Sequence, residues 1–300
     1  MCLCGVAGNL RNGENAYIFH VTMVSCGETI VTRKIFLGPN ETRLLFGLEK
    51  VGKTVFTLSD AARILGSSKT AAKVIIYRLK CKGRIVTAQR GKYVLAPARA
   101  GVEGHWSENP FLIVSHIINE YYVGFWTAMS HWGMTEQIPI TIFVATAKRK
   151  RPVRYGGQTF RFVTLSKRKF FGFTKERIDS RTFNISTKEK TIVDGLVFPQ
   201  HCGGMSEVTK AIWNSRKELD WNSLLAMAKR MSVDAALRRL GYLLHLLGLE
   251  PEMGRSVAKL EWRGLRFLDP TAPKKALSYS RDYGLILNVS DTKLTSWRGT

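Results

Sequence analysis

The segment from Ser67 to Lys80 constrains the fold of this chain more than any other stretch. If it is helical, one side carries side chains that recur at i, i+4, i+8 and i+11, namely Lys69, Lys73, Tyr77 and Lys80. The opposite side carries an apolar stripe formed by Ala72, Ile75, Ile76 and Leu79. The pattern therefore predicts a helix that buries one face and presents positive charge to a polyanion with the other.

The sequence around this helix predicts a winged helix-turn-helix domain. A shorter amphipathic segment, Leu58 to Leu65, precedes it and is capped by Thr57 or Ser59. Behind it, the β-prone runs 84–88 and 92–95 flank Gln89-Arg90-Gly91, as in a hairpin. An earlier helix begins at Gly38-Pro39 and closes near Gly52. Modules with this order place their second helix in the major groove of DNA and rest the wing on the backbone.

The charge balance favours a nucleic-acid partner. The chain has 46 Lys and Arg against 23 Asp and Glu, a net charge of +23 and a pI near 10.1. Such an excess predicts affinity for phosphate backbones, anionic membranes or acidic proteins. Within residues 53–99, Asp60 is the single acid. A basic amphipathic helix can also lie on a membrane, but a flanking hairpin and small Ala residues favour DNA.

We expect double-stranded DNA to be contacted by three groups of residues. The helix would supply Ser68, Lys69, Thr70, Lys73, Tyr77 and Lys80. The hairpin would supply Arg84, Arg90 and Lys92. A basic loop between two predicted strands would add Lys148, Arg149, Lys150, Arg151 and Arg154, although such a run is often only a solvated loop.

The second half of the chain predicts an α+β domain. Helices are expected at 111–118, 121–131, 187–196, 206–213, 221–229 and 232–247. Strands are expected at 138–145, 158–164, 183–186 and 283–288, with short apolar runs at 170–173 and 265–270. The predicted organisation is an N-terminal extension (1–37, flexible or from a misplaced start), the winged helix-turn-helix domain (38–100) and the α+β domain (101–300).

The sequence of the N-terminal extension allows the fewest predictions. Cys4-Gly5-Val6-Ala7-Gly8 superficially resembles the start of N-terminal-nucleophile amidotransferases, but Leu3 follows Cys2 and no supporting motif appears. Met23 is an alternative start of translation. Five scattered cysteines argue against a disulfide framework. With no secretory signal and no apolar run of about eighteen residues, a cytoplasmic protein without a membrane span is expected.

Several motifs across residues 40–290 occur in the order and spacing of a known protein family. They are Lys82-Gly83-Arg84-Ile85, Arg90-Gly91-Lys92-Tyr93-Val94-Leu95-Ala96-Pro97, Tyr121-Tyr122-Val123-Gly124-Phe125-Trp126-Thr127-Ala128, His131-Trp132-Gly133-Met134-Thr135-Glu136-Gln137-Ile138-Pro139, Ile185-Ser186-Thr187-Lys188-Glu189-Lys190-Thr191-Ile192-Val193-Asp194-Gly195-Leu196, Arg239-Leu240-Gly241-Tyr242-Leu243-Leu244 and Leu268-Asp269-Pro270. Together they make the chain similar to the AbiEi antitoxins of type IV toxin–antitoxin systems, which are transcriptional regulators.

The resemblance implies a division of labour between the two domains. The N-terminal domain would bind inverted repeats in its own promoter and repress its operon, and the C-terminal domain would be needed for antitoxin activity. The functional partner would be a nucleotidyltransferase-like toxin, AbiEii, opposed without a stable complex. Residues 1–37 depart from the family, which usually starts near the first helix of the winged domain.

The sequence supports an enzyme less well than a DNA-binding regulator. Asp179, Glu189 and Asp194, beside Lys188 and Lys190, suggest a metal-dependent nuclease directed to DNA by the winged helix. However, Glu189 and Asp194 lie five residues apart on a predicted helix, which fits a surface charge and a buried hydrogen-bonding residue better. The histidines lack metal-ligand spacing, and no P-loop, G-x-S-x-G or dinucleotide-binding motif occurs. We therefore expect no catalytic residue, metal or cofactor.

Overall fold

The computed structural model of the protein describes residues 17–18, 36–89, 91–96, 109–155, 158–178 and 181–299. Its contacts divide the chain into two units. The first comprises Met1–Ile117 with Arg154–Gly157, and the second comprises Ile118–Val153 with Gln158–Thr300. The sequence placed the division near residue 100, whereas the structure groups the helix at Pro110–Ile117 with the first unit. Helices and several sheets confirm the predicted α+β class.

The first unit alternates helices with short strands. Its helices are α1 (Pro39–Lys50), α2 (Leu58–Leu65), α3 (Lys69–Cys81) and α4 (Pro110–Ile117). Its strands are β1 (Tyr17–Ile18), β2 (Phe36–Leu37), β3 (Val55–Thr57), β4 (Ile85–Gln89) and β5 (Lys92–Leu95). The bounds of α1, α2 and α3 and the antiparallel β4–β5 pair agree closely with the sequence prediction.

Local capping explains where α2 and α3 begin. The Thr57 hydroxyl oxygen accepts a hydrogen bond from the Asp60 backbone N–H, and the Asp60 carboxylate accepts one from the Thr57 N–H. This reciprocal arrangement satisfies donors that the helix leaves unpaired. Gly66 ends α2 with φ 61°, a conformation that glycine adopts without steric cost. The Ser68 hydroxyl oxygen then accepts from the Ala71 N–H and starts α3.

Strand β3 was not predicted, because residues 56–57 were taken as the entry to the second helix. Val55 pairs with Val94 and Thr57 with Lys92, giving an antiparallel sheet in the order β3-β5-β4. The partner strand, β5, lies far away in the chain, so no local sequence pattern predicts this pairing. One consequence is that Phe56 is 1% exposed and joins the core beneath α1, α2 and α3.

The core of the first unit is apolar and closely packed. Leu44, Leu48, Ala72 and Leu79 are completely buried, and the side chains are grouped in one cluster. Helices α1 and α2 cross at Gly47, where an added Cβ would lie 2.4 Å from the Cγ2 atom of Ile64. Only glycine permits that approach of the two helices.

The largest sheet has six strands in the order β10-β11-β6-β7-β9-β8. The strands are β6 (Tyr121–Val123), β7 (Thr141–Thr146), β8 (Val153–Tyr155), β9 (Gln158–Thr164), β10 (Phe173–Ile178) and β11 (Arg181–Ser186). The pairs β7–β9 and β11–β6 are parallel, whereas β6–β7 and β10–β11 are antiparallel.

The single helix expected at 121–131 is wrong. Residues Tyr121–Val123 form the fully buried strand β6, and α5 (Phe125–His131) begins only after Gly124. Phe125 has a φ of 57°, which breaks helical continuity at that point. The aromatic residues misled the prediction because a short strand that is buried on both faces has no alternation of apolar and polar residues.

Helices pack with this sheet to complete the second unit. They are α6 (Lys188–Val197), α7 (Met205–Ser215), α8 (Trp221–Met231), α9 (Asp234–Leu247), α10 (Pro251–Ala258) and α11 (Asp291–Leu294). A small sheet has the order β12-β14-β13, with β12 (Arg266–Phe267), β13 (Ser278–Ser280) and β14 (Leu285–Leu287). The sequence did not predict α10, β10 or β13. Among the described helices, none is long and apolar enough to cross a bilayer.

Candidate nucleic-acid interface

Helix α3 presents a cationic face and buries an apolar one. Lys69, Thr70, Lys73, Tyr77 and Lys80 are exposed, while Ala72, Ile75, Ile76 and Leu79 are buried. The predicted two-sided helix is therefore observed in both its bounds and its burial. Tyr77 is 67% exposed, so its phenol is held on the surface rather than in the core.

Two further exposed residues on α3 were not among the predicted contacts. Arg78 lines a shallow cleft of about 530 Å³ with Tyr77 and the N-terminal residues of α1. Val74 is an apolar side chain with 47% exposure, on the same surface as Thr70. The sequence contains a signal for this residue: Val74 is apolar but lies outside the apolar stripe of α3, so it has no place in the core.

Two described carboxylates of the first unit, those of Asp60 and Glu41, are paired with cations that lie outside α3. The Asp60 carboxylate lies 2.8 Å from Lys53 Nζ and 2.5 Å from Arg63 Nη2. The hydrogen bond from Lys53, followed by the one from the Thr57 N–H, holds the pKa of Asp60 well below its usual range. Glu41 pairs with Lys82. Within the described residues, no carboxylate forms an ion pair with a cation of α3, so these charges are available to a polyanion.

Ser68 has a structural role, and its contact with DNA stays a prediction. Its hydroxyl oxygen accepts the hydrogen bond that caps α3, at 3.2 Å from the Ala71 nitrogen. The side chain is exposed, so the hydroxyl hydrogen can still be donated to an oxygen of a ligand.

Arg84 does not lie on the surface, which corrects its place among the predicted contacts. The residue is 6% exposed. Its N–H donates to the Leu79 carbonyl, and its own carbonyl accepts from the Ala96 N–H. These bonds place it between the end of α3 and the last strand of the hairpin. The sequence did not reveal this, because a basic residue at the start of a hairpin is expected on the surface.

The hairpin offers one described basic side chain to a ligand. Lys92 is half-buried in β5, opposite Thr57 on one side and Gln89 on the other. Gly91 has a φ of 78°, which fits its predicted role in the turn. Arg90 lies outside the described residues, so its contact with DNA stays a prediction.

The basic run after β7 is a connection up to residue 152, as predicted, but Arg154 lies in strand β8, where the sequence predicted a loop. Lys148, Arg149, Arg151 and Arg154 are exposed. Lys150 differs, because its ammonium group lies 5.6 Å from the centre of the Phe162 ring. Burial lowers its pKa. Lys148 to Arg151 belong to the second unit and Arg154 to the first.

The candidate nuclease residues form no metal site in the described part of the chain. Asp194 is completely buried, where it accepts hydrogen bonds from Tyr122 Oη, at 2.9 Å, and from Lys190. Burial raises the pKa of Asp194 and lowers that of Lys190, and the attraction between the two groups opposes both shifts. Glu189 accepts from the Asp220 N–H. Asp179 lies outside the described residues.

Two further titratable groups of the second unit, His201 and Cys202, are packed in or against its core. His201 packs against the rings of Phe125 and Phe143, and burial lowers its pKa. Cys202 is buried, and burial raises the pKa of its thiol. Across the described residues, no group of three or more His, Cys, Asp or Glu side chains could hold a metal ion. Cys2 and Cys4 lie outside those residues.

Comparisons with known proteins give one family-model match in each of the two units. A family model described as "Transcriptional regulator, AbiEi antitoxin" matches residues 49–96, and one described as "AbiEi antitoxin C-terminal domain" matches residues 122–246. No curated protein matches the chain. The crystal structure of the RV2827C protein from Mycobacterium tuberculosis is similar with a TM-score of 0.62 and 16% sequence identity, covering 87% of this chain and 95% of that chain. At that identity the likeness shows a shared fold.

Proposed function

Because the chain belongs to the AbiEi family of antitoxins and transcriptional regulators, we propose that it represses its own operon by binding double-stranded DNA. In this proposal it is the antitoxin of a type IV toxin–antitoxin system and counteracts a nucleotidyltransferase-like toxin. The observation that carries the DNA-binding part is the exposed cationic face of α3, whose charges are not paired with carboxylates in the described residues.

The first unit would act as a winged helix-turn-helix. Helices α2 and α3 would form the helix-turn-helix, and β4 with β5 would form the wing. Helix α3 would lie in the major groove, where Lys69, Lys73 and Tyr77 meet phosphates or base edges. Val74 has the apolar surface that suits a thymine methyl group. Because Asp60 and Glu41 are occupied by other cations, they would not repel the phosphates.

Contacts with phosphates dominate such an interface and make affinity depend on salt. Phosphates would be contacted by Arg78, Lys80 and the wing residue Lys92. A further basic segment would be formed by Lys148, Arg149, Lys150, Arg151 and Arg154. Arg84 is left out of the proposed contacts because it is buried. The target would be inverted repeats in the promoter of the operon.

The test measures binding of the purified chain to a labelled fragment of its own upstream region. A fragment of equal length and base composition from within the coding region is the control. The proposal expects tight binding to the upstream fragment that falls steeply as salt rises. Equal binding to both fragments would contradict autoregulation, and affinity that ignores salt would contradict phosphate contacts.

The antitoxin part of the proposal has a separate test. The candidate partner is a nucleotidyltransferase-like protein encoded beside this gene, expressed from an inducible promoter. Co-expression of this chain should restore growth, while purified chain and toxin should not co-elute in size-exclusion chromatography. Failure to restore growth would contradict antitoxicity, and co-elution would contradict the type IV mode.

A further inference from the structure

A polar and aromatic cleft in the second unit has no place in the proposed contacts with duplex DNA. It has a volume of about 810 Å³ and is lined by Glu136, Lys210, Trp213, Asn214, Trp297 and Arg298. Helix α7 supplies three of these residues, and the 3₁₀ turn Ser296–Gly299 supplies two. Elements that are distant in the sequence therefore build one surface within the second unit.

The aromatic part of the cleft is a stack of rings and guanidinium groups. The guanidinium carbons of Arg216 and Arg298 lie 4.0 Å and 4.1 Å from the centre of the Trp213 ring. The ring of Trp297 lies 6.1 Å from that of Trp213, and its Nε1–H donates to the Leu294 carbonyl. The Arg216 side chain is itself fixed by donating to the Trp213 carbonyl. Arg298 is exposed, so a planar group can stack on its guanidinium.

The charged part of the cleft has an excess of cations. Lys210 and Arg298 line the cleft with one carboxylate, that of Glu136, which pairs with Lys210. The side chain of Lys210 is 18% exposed and that of Glu136 is 70% exposed. The hydrogen bond from Lys210 lowers the pKa of Glu136. Glu136 is therefore an exposed group paired with the more buried Lys210, and an incoming anion can compete with it for that ammonium group.

We propose that this cleft binds unpaired nucleotides, from single-stranded RNA or from unpaired DNA. A base would stack on the exposed Arg298 guanidinium, which itself lies over the Trp213 ring, and a phosphate would take the place of Glu136 at Lys210. Proteins that hold single strands combine aromatic stacking with a cationic groove in this way. A base within a duplex cannot reach such a site because it is stacked on its neighbours.

An acidic peptide is the less suitable occupant. Its carboxylates could pair with Lys210 and Arg298, but they would leave the stacked indole and guanidinium planes without a flat partner. The proposed site is independent of α3. Single-strand binding here and repression through α3 can therefore fail separately.

The test uses fluorescence anisotropy with the full-length chain and labelled oligo(U), oligo(dT) and an abasic oligonucleotide of the same backbone charge. Unlabelled duplex DNA is added in excess to occupy α3. The proposal expects the abasic strand to bind on the order of tenfold more weakly than the strand with bases. The ratio between oligo(U) and oligo(dT) identifies RNA or DNA as the source.

Two variants and one matched control decide the location of the site. Arg298→Ala should remove the difference between base-containing and abasic strands, while Glu136→Gln should strengthen binding because it frees Lys210. Lys259→Ala, an exposed cation of the same unit, should change neither. Binding of the promoter duplex should be unaffected by all three.

The proposal is overturned by any of three results. The first is equal affinity for abasic and base-containing strands, and the second is an effect of Arg298→Ala no larger than that of Lys259→Ala. The third is competition by poly-glutamate as effective as that by oligo(U) and oligo(dT). If Arg298→Ala lowers the Tm, Glu136→Gln still decides, because a purely structural ion pair predicts no gain in affinity when it is broken.

Discussion

The Nζ atom of Lys82 lies 2.6 Å from Oε2 of Glu41, which joins the end of α3 to the start of α1. The same Glu41 oxygen accepts the Gly38 N–H at 2.8 Å, and Lys82 also donates to the Phe36 carbonyl. Glu41 is 3% exposed. One buried carboxylate therefore links the C-terminal end of α3 to the N-terminal end of α1.

Replacing Glu41 should destabilise the first unit. Glu41→Gln keeps the size of the side chain but removes the charge opposite Lys82, and we expect a loss of about 1–3 kcal/mol in the free energy of unfolding. Urea denaturation of Glu41→Gln, Lys82→Gln and the double variant measures the coupling. If the losses of unfolding free energy in the two single variants add up to that of the double variant, Glu41 and Lys82 are not coupled. The proposed role of their ion pair would then be wrong.

Asp60 should make stability depend on pH. Its pKa is lowered in the folded state by Lys53 and by the Thr57 N–H, while the unfolded value is about 3.9. The stabilising contribution is therefore fully present at neutral pH and decreases as pH falls below about 4. Asp60→Asn should be less stable than the parent by about 1 kcal/mol at pH 7. That difference should shrink in acid, and a constant difference from pH 7 to pH 3 would contradict the role given to the carboxylate.

Arg84 should matter for folding and not for contact with DNA. Because its side chain is buried, Arg84→Met is expected to lower the Tm. The slope of log affinity against log salt should stay unchanged for the fraction that is folded. A normal Tm combined with a slope reduced by about one would show instead that Arg84 contacts a phosphate.

The contrast between α3 and Arg84 shows what the sequence can reveal about this fold. The two faces of α3 follow from helical periodicity, and the ends of α2 and α3 from capping residues, so both could be predicted. The burial of Arg84 depends on packing that charge and periodicity do not show, and the strands β3 and β6 depend on pairing with distant segments. No local pattern contains that information. The stacking of Arg298 on Trp213 is hidden for the same reason.

The buried pair of Lys190 and Asp194 distinguishes a structural role from a catalytic one. Lys190→Met should cost about 3–5 kcal/mol, because it leaves the Asp194 carboxylate buried without its cation. The double variant Lys190→Met/Asp194→Leu should recover much of that loss. If Asp194→Ala were instead as stable as the parent and abolished an Mg²⁺-dependent cleavage of DNA, the nuclease reading would be favoured.

The central claim is that α3 carries the contacts with the promoter, and charge reversal at Lys73 tests it most directly. Lys275→Glu, at an exposed site of the second unit, changes the net charge of the protein by the same amount and is the matched control. Anisotropy titrations with the promoter duplex, beside circular dichroism and Tm, compare both variants with the parent. We predict that Lys73→Glu keeps its fold but binds on the order of a hundredfold more weakly, whereas Lys275→Glu binds almost as the parent does. Equal affinities for the two variants would contradict the account.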